Sequence, residues 1–359
     1  MPATTDDQTP AEVEPGEQPA SGRARRRASA ARVREGLDLA RRRWQVVVAV
    51  LVGHLALGIL GDVVSSAVIT VHAYLTLAVV AFLVLTSTRA GFFVASAGYI
   101  TSSEVLWRMH DVPVPWEVAK YVTVGVFAAG LFRLIGPRAR HVGLPGMYLL
   151  VLVPSVLFTV ERLGPASFEL LSFNIVAHVA LVLGVVFCSN LTTDRASLTT
   201  VLWWLLAPVL AVNAVATRAT LALDPADFSA SGSNAAVTGG YGPNQVSALA
   251  GLALLACIFL GIFDRRRHLK VAAVVLGVWF AVQGALTFSR GGLFNVGVAL
   301  LLAVPFFLSR ARYAVRLVAM TVLVVFVGRV VDERHRDDEH DEDDQHRHGH
   351  EANGVASPA

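Results

Sequence analysis

Apolar residues in this chain come in runs of roughly 17–22, the length an α-helix needs to cross the hydrocarbon core of a bilayer. Runs of that kind leave little choice of fold. In lipid each backbone N–H and C=O must be satisfied internally, and a continuous apolar run does so as a helix. The composition agrees. Of 359 residues, 54% are hydrophobic and only 16% charged, where a soluble domain carries about 25% charge. The expected fold class is all-α: a polytopic transmembrane helical bundle.

Eleven spans are expected, near 44–61, 64–85, 90–107, 117–135, 144–161, 168–188, 198–216, 246–263, 270–287, 292–308 and 314–331. The third is the weakest, because Glu104 and Arg108 interrupt it. Residues 1–43 precede the first span and end in a dense arginine cluster, Arg23 to Arg43, which places the N-terminus in the cytoplasm by the positive-inside rule. From that start, the cytoplasmic connections carry Arg89, then Arg138 and Arg140, then Arg195, then Arg265, Arg266, Arg267 and Lys270, then Arg310 and Arg312. The opposite connections are poorer in Lys and Arg, so charge and span count agree. The domain reading is a disordered basic cytoplasmic tail (1–43), a transmembrane helical domain (44–331) and a disordered, charged, His-rich tail (332–359). Localisation in the cytoplasmic membrane as a multi-pass protein follows, and the formal charge of +3 gives no reason to invoke nucleic acid.

Several classes of chemistry are disfavoured. Cys188 and Cys257 both lie in apolar runs, which suggests neither a disulfide framework nor a metal cluster. The tail histidines His335, His340, His346, His348 and His350 have no fixed scaffold, so incidental metal affinity is expected there rather than a site. No cofactor, zinc spacing, nucleophile motif or dinucleotide fingerprint is present. His54, His72 and His178 lie inside spans, where a neighbouring carbonyl usually satisfies a histidine. Asn174, Asn213 and Gln283 are expected to make interhelical hydrogen bonds.

Two polar, glycine-rich breaks stand out. The first is Gly239-Gly240-Tyr241-Gly242-Pro243-Asn244-Gln245-Val246-Ser247, directly before the eighth span. The second is Thr287-Phe288-Ser289-Arg290-Gly291-Gly292, at the mouth of the tenth. With the N-terminus inside, both face the outer side. Arg290 is a permanent cation with a planar fork suited to two phosphate oxygens, and Gly291 and Gly292 are expected to bare backbone N–H groups to an anion at the next helix start. The bland alternative is an arginine snorkelling to water. Asn244, with Gln245, is either a substrate contact or an ordinary helix N-cap. Tyr241 is suited to stacking on a sugar or to the interfacial aromatic belt. Arg218 is read as a second external arginine just after the seventh span. Asp62, Asp224 and Asp227 are candidate external acids, none at a telling spacing from another candidate residue.

From the sixth span to residue 331, GGYGPNQVSALAG, a basic turn and then TFSRGG resemble the core of the O-antigen ligase and O-antigen polymerase family. The resemblance implies an inner-membrane helical protein that takes a glycan from a polyprenyl pyrophosphate at the outer leaflet. The acceptor is a sugar, on a glycan or lipid, and no nucleotide or metal takes part. It implies that Arg290 grips the pyrophosphate, with Arg218 as a possible second cation and Tyr241, Asn244, Gln245 and Ser289 as substrate contacts. Family members carry a large external loop with a histidine after the eleventh span, where this sequence has its charged tail. The expectation is therefore a truncated or frameshifted member, since a Thr/Gly/Ser-rich loop in GC-rich DNA read one nucleotide out of frame gives this composition. The alternative function is a membrane transporter or a non-catalytic scaffold, but transporter breaks recur at mid-membrane in two halves and these do not.

Overall fold

A computed structural model of the chain describes residues 44–60, 66–224, 234–287 and 289–308. The tails 1–43 and 332–359 and the expected span 314–331 lie outside the described residues, as do Asp62 and Asp227. Every regular element among the described residues is helical. The α-helices are α1 (Trp44–Ile59), α2 (Ser66–Thr86), α3 (Ala90–Met109), α4 (Val118–Gly130), α5 (Gly143–Leu163), α6 (Ser167–Ser189), α7 (Arg195–Ala222), α8 (Pro243–Phe263), α9 (Arg267–Leu286) and α10 (Arg290–Leu308). Contacts divide the chain between Ala49 and Val50, inside α1. The first unit is described only as residues 44–49, and all packing below lies within the second.

These helices fall on ten of the eleven expected spans. Among the described residues, six helical stretches are long and apolar enough to cross a membrane, namely α2, α4 with its π-helical extension to Ile135, the Gly143–Ser189 stretch, α7, α8 and α9. The Gly143–Ser189 stretch is itself two helices, α5 and α6, separated by a short turn at Gly164–Ala166 and packed on each other. α1, α3 and α10 are not among these six.

Glu104 and Arg108 do not break α3. They pair one helical turn apart, Arg108 Nη2 to Glu104 Oε1 at 2.7 Å, so each charge has a neutralising partner inside the bundle.

α7 and α8 are the central elements. α7 packs on α3 and α8, and α8 on α9 and α10. Burial follows: over an 18-residue apolar window, 61% of α7 and 67% of α8 are inside the bundle, against 17% for the α5–α6 stretch. The outer helices turn large apolar side chains outward, among them Leu144 (81% exposed), Phe168 (79%) and Val151 (74%). In water such a surface would drive association; against lipid tails it costs nothing.

With no hydrophobic force between helices in lipid, close backbone approach does the packing. α8 and α10 meet at small residues. A Cβ on Gly292 would lie 2.1 Å from the Ser247 carbonyl oxygen, and one on Gly251 2.5 Å from that of Gly292. Gly130 on α4 serves likewise, its missing side chain leaving room for Phe187 and Phe93.

Candidate functional site

The connection before α8 is built by backbone geometry and pinned by α7 and α9. Ala236–Thr238 form one 3-10 turn. Gly239 and Gly240 follow with φ of 71° and 83°, the left-handed region in which glycine carries no Cβ penalty. Gly242 caps α8 and Pro243 occupies its first turn, where a missing N–H costs nothing. Asn244 is therefore not the N-cap; it lies inside the first turn. Gln283 holds the segment to the bundle: its Nε2 donates to Val237 O (3.3 Å) and Thr220 Oγ1 (3.0 Å). Its Oε1 accepts from Thr217 Oγ1 at 3.2 Å, and Trp279 Nε1 donates to that hydroxyl at 3.0 Å. The expected interhelical role of Gln283 is thus met.

The other two amides behave differently. Asn174 donates to Leu170 O within its own helix, one turn back. Asn213 is 1% exposed and neither end of its amide has a protein partner.

The two polar breaks meet at one end of α8, α9 and α10. Asn234 N donates to Thr287 O at 3.0 Å, and Ser289 Oγ donates to Asn244 Oδ1 at 2.8 Å. Ser247 completes the junction: its hydroxyl donates to Ser289 O (2.8 Å) and accepts from Gly292 N (3.2 Å). This changes the expected role of the glycine pair. Gly292 N–H is engaged by Ser247, and its small size serves the α8–α10 contact; Gly291 beside it is exposed. An anion at the start of α10 would find the Gly292 N–H already used.

The exposed side chains at this end are Asn244 and Gln245, with Tyr241 half-buried beside them. The Tyr241 hydroxyl donates to Gln245 Oε1. It also lies beside Arg108, at the end of α3. Burial pushes the Tyr241 phenol above its ordinary range, and the adjacent Arg108 charge opposes that rise. Arg290 is the first residue of α10 and directly follows Ser289. Its side chain is not among those described. Arg218 does not follow the seventh helix, as expected, but sits half-buried four residues before the end of α7.

The N-terminal half adds residues that the sequence reading overlooked. Arg108 stacks on Trp116 with its guanidinium carbon 4.1 Å from the ring centroid, a cation–π contact. Glu117 has a left-handed backbone, φ 63°, unusual for a residue with a Cβ. It pairs with Lys120 and is 6% exposed, and its Oε2 is buried without a protein partner. Glu104 is close enough to Arg108, to the Ala119 amide and to Glu117 for each to act on its carboxylate. The signal was present in the sequence: two opposite charges four apart on an apolar helix make an internal pair.

The assembled end offers a fixed cation, two exposed amides, a phenol and an open tryptophan around a rigid backbone junction. Such a set suits a hydroxylated or anionic ligand. Among the described residues no group of three or more His, Cys, Asp or Glu gathers to hold a metal. Compared with models of known families, with curated proteins and with solved structures, the chain matches none.

Proposed function

We propose that this protein transfers a glycan from a polyprenyl pyrophosphate donor to an acceptor sugar at the outer face of the cytoplasmic membrane, in the manner of O-antigen ligases and polymerases. The observation that carries the reading is the junction of the two breaks: Ser289 bonded to Asn244 and Ser247 capping the Gly292 N–H. Two segments that the resemblance treats as parts of one site lie at one end of the bundle, with Arg290 as the next residue.

In this reading Arg290 holds the pyrophosphate. As the acceptor hydroxyl oxygen bonds to the sugar's anomeric carbon and gives up its proton to solvent, the bond to the pyrophosphate oxygen breaks; negative charge grows on that leaving oxygen, and a fixed guanidinium stabilises it most where water is excluded. Asn244, Gln245 and Tyr241 orient the sugar, Ser289 fixes Asn244, and Arg218 supplies a further cation. Eleven spans with the N-terminus and the Arg265–Arg267 turn in the cytoplasm put the site outside. An impermeant thiol reagent that labels a cysteine at position 266 in intact cells would overturn that orientation.

The test of the function is donor affinity in nanodiscs, with a polyprenyl pyrophosphate as probe and the matching monophosphate as control. Arg290→Ala is expected to weaken pyrophosphate binding by about 2–5 kcal/mol, as for a desolvated charge pair losing one partner. Arg290→Lys should fall between, keeping charge but losing the two-pronged fork. Equal affinity for wild type and Arg290→Ala would overturn the reading.

A further inference from the structure

Four side chains of α1, α2 and α3 form a continuous hydrogen-bonded chain within the bundle. His54 Nδ1 lies 2.8 Å from the Val50 carbonyl oxygen. Tyr99 Oη lies 2.9 Å from His54 Nε2 and 3.0 Å from His72 Nε2, and Trp107 Nε1 lies 3.1 Å from His72 Nδ1. Trp107 is fully buried and His54 nearly so.

The two ends set the direction of every bond between them. An indole N–H can only donate and a peptide carbonyl can only accept. His72 Nδ1 therefore accepts from Trp107, which makes His72 the neutral Nε2–H tautomer, donating to Tyr99. The Tyr99 hydroxyl in turn donates to His54 Nε2. His54 is then the neutral Nδ1–H tautomer, donating to Val50 O. Every proton is allocated, and the two imidazoles hold opposite tautomers.

An added proton meets different neighbours at the two histidines. On His72 the open nitrogen, Nδ1, faces an N–H locked in the indole plane, so a proton there would set two donors head to head. On His54 the open nitrogen, Nε2, faces a hydroxyl that can turn. With its hydrogen swung toward Thr76, which lies within hydrogen-bonding reach, the Tyr99 oxygen accepts from both imidazoles. Among the described residues, the elements that carry this chain bring no competing acid to it. α1 supplies His54, α2 His72, α3 Tyr99, and α7 the Trp204 ring, 6.1 Å from that of Tyr99. Glu104 and Arg108, further along α3, are paired with each other.

We propose that the chain from Trp107 through His72 and Tyr99 to His54 is a buried proton-binding site that takes one proton, at His54 Nε2, with Trp107 holding His72 neutral. Ionisable groups inside spans are costly to keep and are functional by default, and histidine is the side chain that titrates near physiological pH. The turning hydroxyl ties α1 to α3 in this chain, so proton binding is coupled to how α1 sits on α3. The proposal stands apart from the glycan-transfer reading.

The test is imidazole ¹⁵N spectroscopy of the full-length chain in nanodiscs, labelled at histidine and taken from about pH 8 to about pH 4.5, across the range where histidine titrates. His54→Gln and His72→Gln serve to assign the signals. Opposite tautomers at the upper end are expected, with one proton taken by His54 and none by His72. In Trp107→Phe, with the opposing donor gone, His72 should titrate as well, raising uptake from one proton to two. Like tautomers, uptake at His72 with Trp107 intact, or no uptake at either histidine would each overturn the proposal. The wild-type spectra decide it even if a variant fails to fold.

Discussion

The Ser289 hydroxyl donates to the Asn244 side-chain oxygen across 2.8 Å, joining two segments 45 residues apart. A helix-capping asparagine would have turned back on its own backbone; this one is engaged by the break before the next-but-one helix. Removing either partner should cost about 1 kcal/mol, the usual net worth of such a bond. Ser289→Ala and Asn244→Ala together should cost less than their sum, with a coupling of about 0.5–1.5 kcal/mol. Denaturant titration of the four proteins in one detergent checks this. Strict additivity would mean that the two breaks are not energetically joined.

Gly291 and Gly292, adjacent in sequence, should respond differently to alanine. A methyl at Gly292 would press into the Ser247 backbone, while one at Gly291 meets only the Ser289 hydroxyl at 3.7 Å. Gly292→Ala is expected to destabilise by about 1–3 kcal/mol or more, as overpacking does, and to weaken the α8–α10 contact. Gly291→Ala should stay within about 0.5 kcal/mol, as surface changes usually do. Thermal unfolding of both variants checks the contrast.

Asp264 gives a pH-dependent prediction. It is 4% exposed and accepts from Arg266 three times, from the backbone N–H at 2.9 Å and the guanidinium at 3.3 and 3.2 Å. Burial alone would raise its carboxyl, but the bonds and charge of Arg266 outweigh it and leave the group below its ordinary range. The folded state thus binds the proton less readily than the unfolded one. The contribution is fully present above the unfolded aspartate value of about 3.9 and is lost as pH falls through the lower folded value. Asp264→Asn should cost about 1 kcal/mol at neutral pH, kept modest because the Arg266 side chain is 44% exposed and screened. The gap between wild type and variant should close in acid. Melting curves across that range check it.

Arg108 and Tyr241 give a spectroscopic prediction. Burial raises the Tyr241 phenol and Arg108 opposes the rise, so Arg108→Ala should move its ionisation to still higher pH. Ultraviolet titration of tyrosinate, with Tyr241→Phe to assign the signal, measures it. A shift to lower pH would show that Arg108 does not act on this hydroxyl.

The two glycine-rich breaks are legible in the sequence because glycine, proline and arginine interrupt runs that are otherwise apolar enough to stay in lipid. What the breaks do cannot be read locally. Gly292 looks like an anion nest by its place before a helix, yet its N–H is taken by Ser247, and only the docking of α8 on α10 reveals that. Asn244 looks like an N-cap by residue type, and the actual cap, Gly242, depends on where the chain turns. Glu104 and Arg108 look like a flaw in the third span when charge is counted along the sequence rather than across one helical turn.

The sequence by itself determined that this chain is helical and suited to lipid, because run length and backbone hydrogen bonding leave no other economical solution. It also determined most helix ends to within about three residues, since polar and glycine-rich breaks cannot continue into hydrocarbon, although α7 runs six residues beyond the expected 216 and takes in Arg218. Only the tertiary structure decided which polar groups meet. His54 and Tyr99 are 45 residues apart and Trp107 and His72 are 35 apart; no periodicity links them. Helix faces in lipid are set by backbone contact at small residues and by hydrogen bonds between helices, and both arise only once the helices have paired.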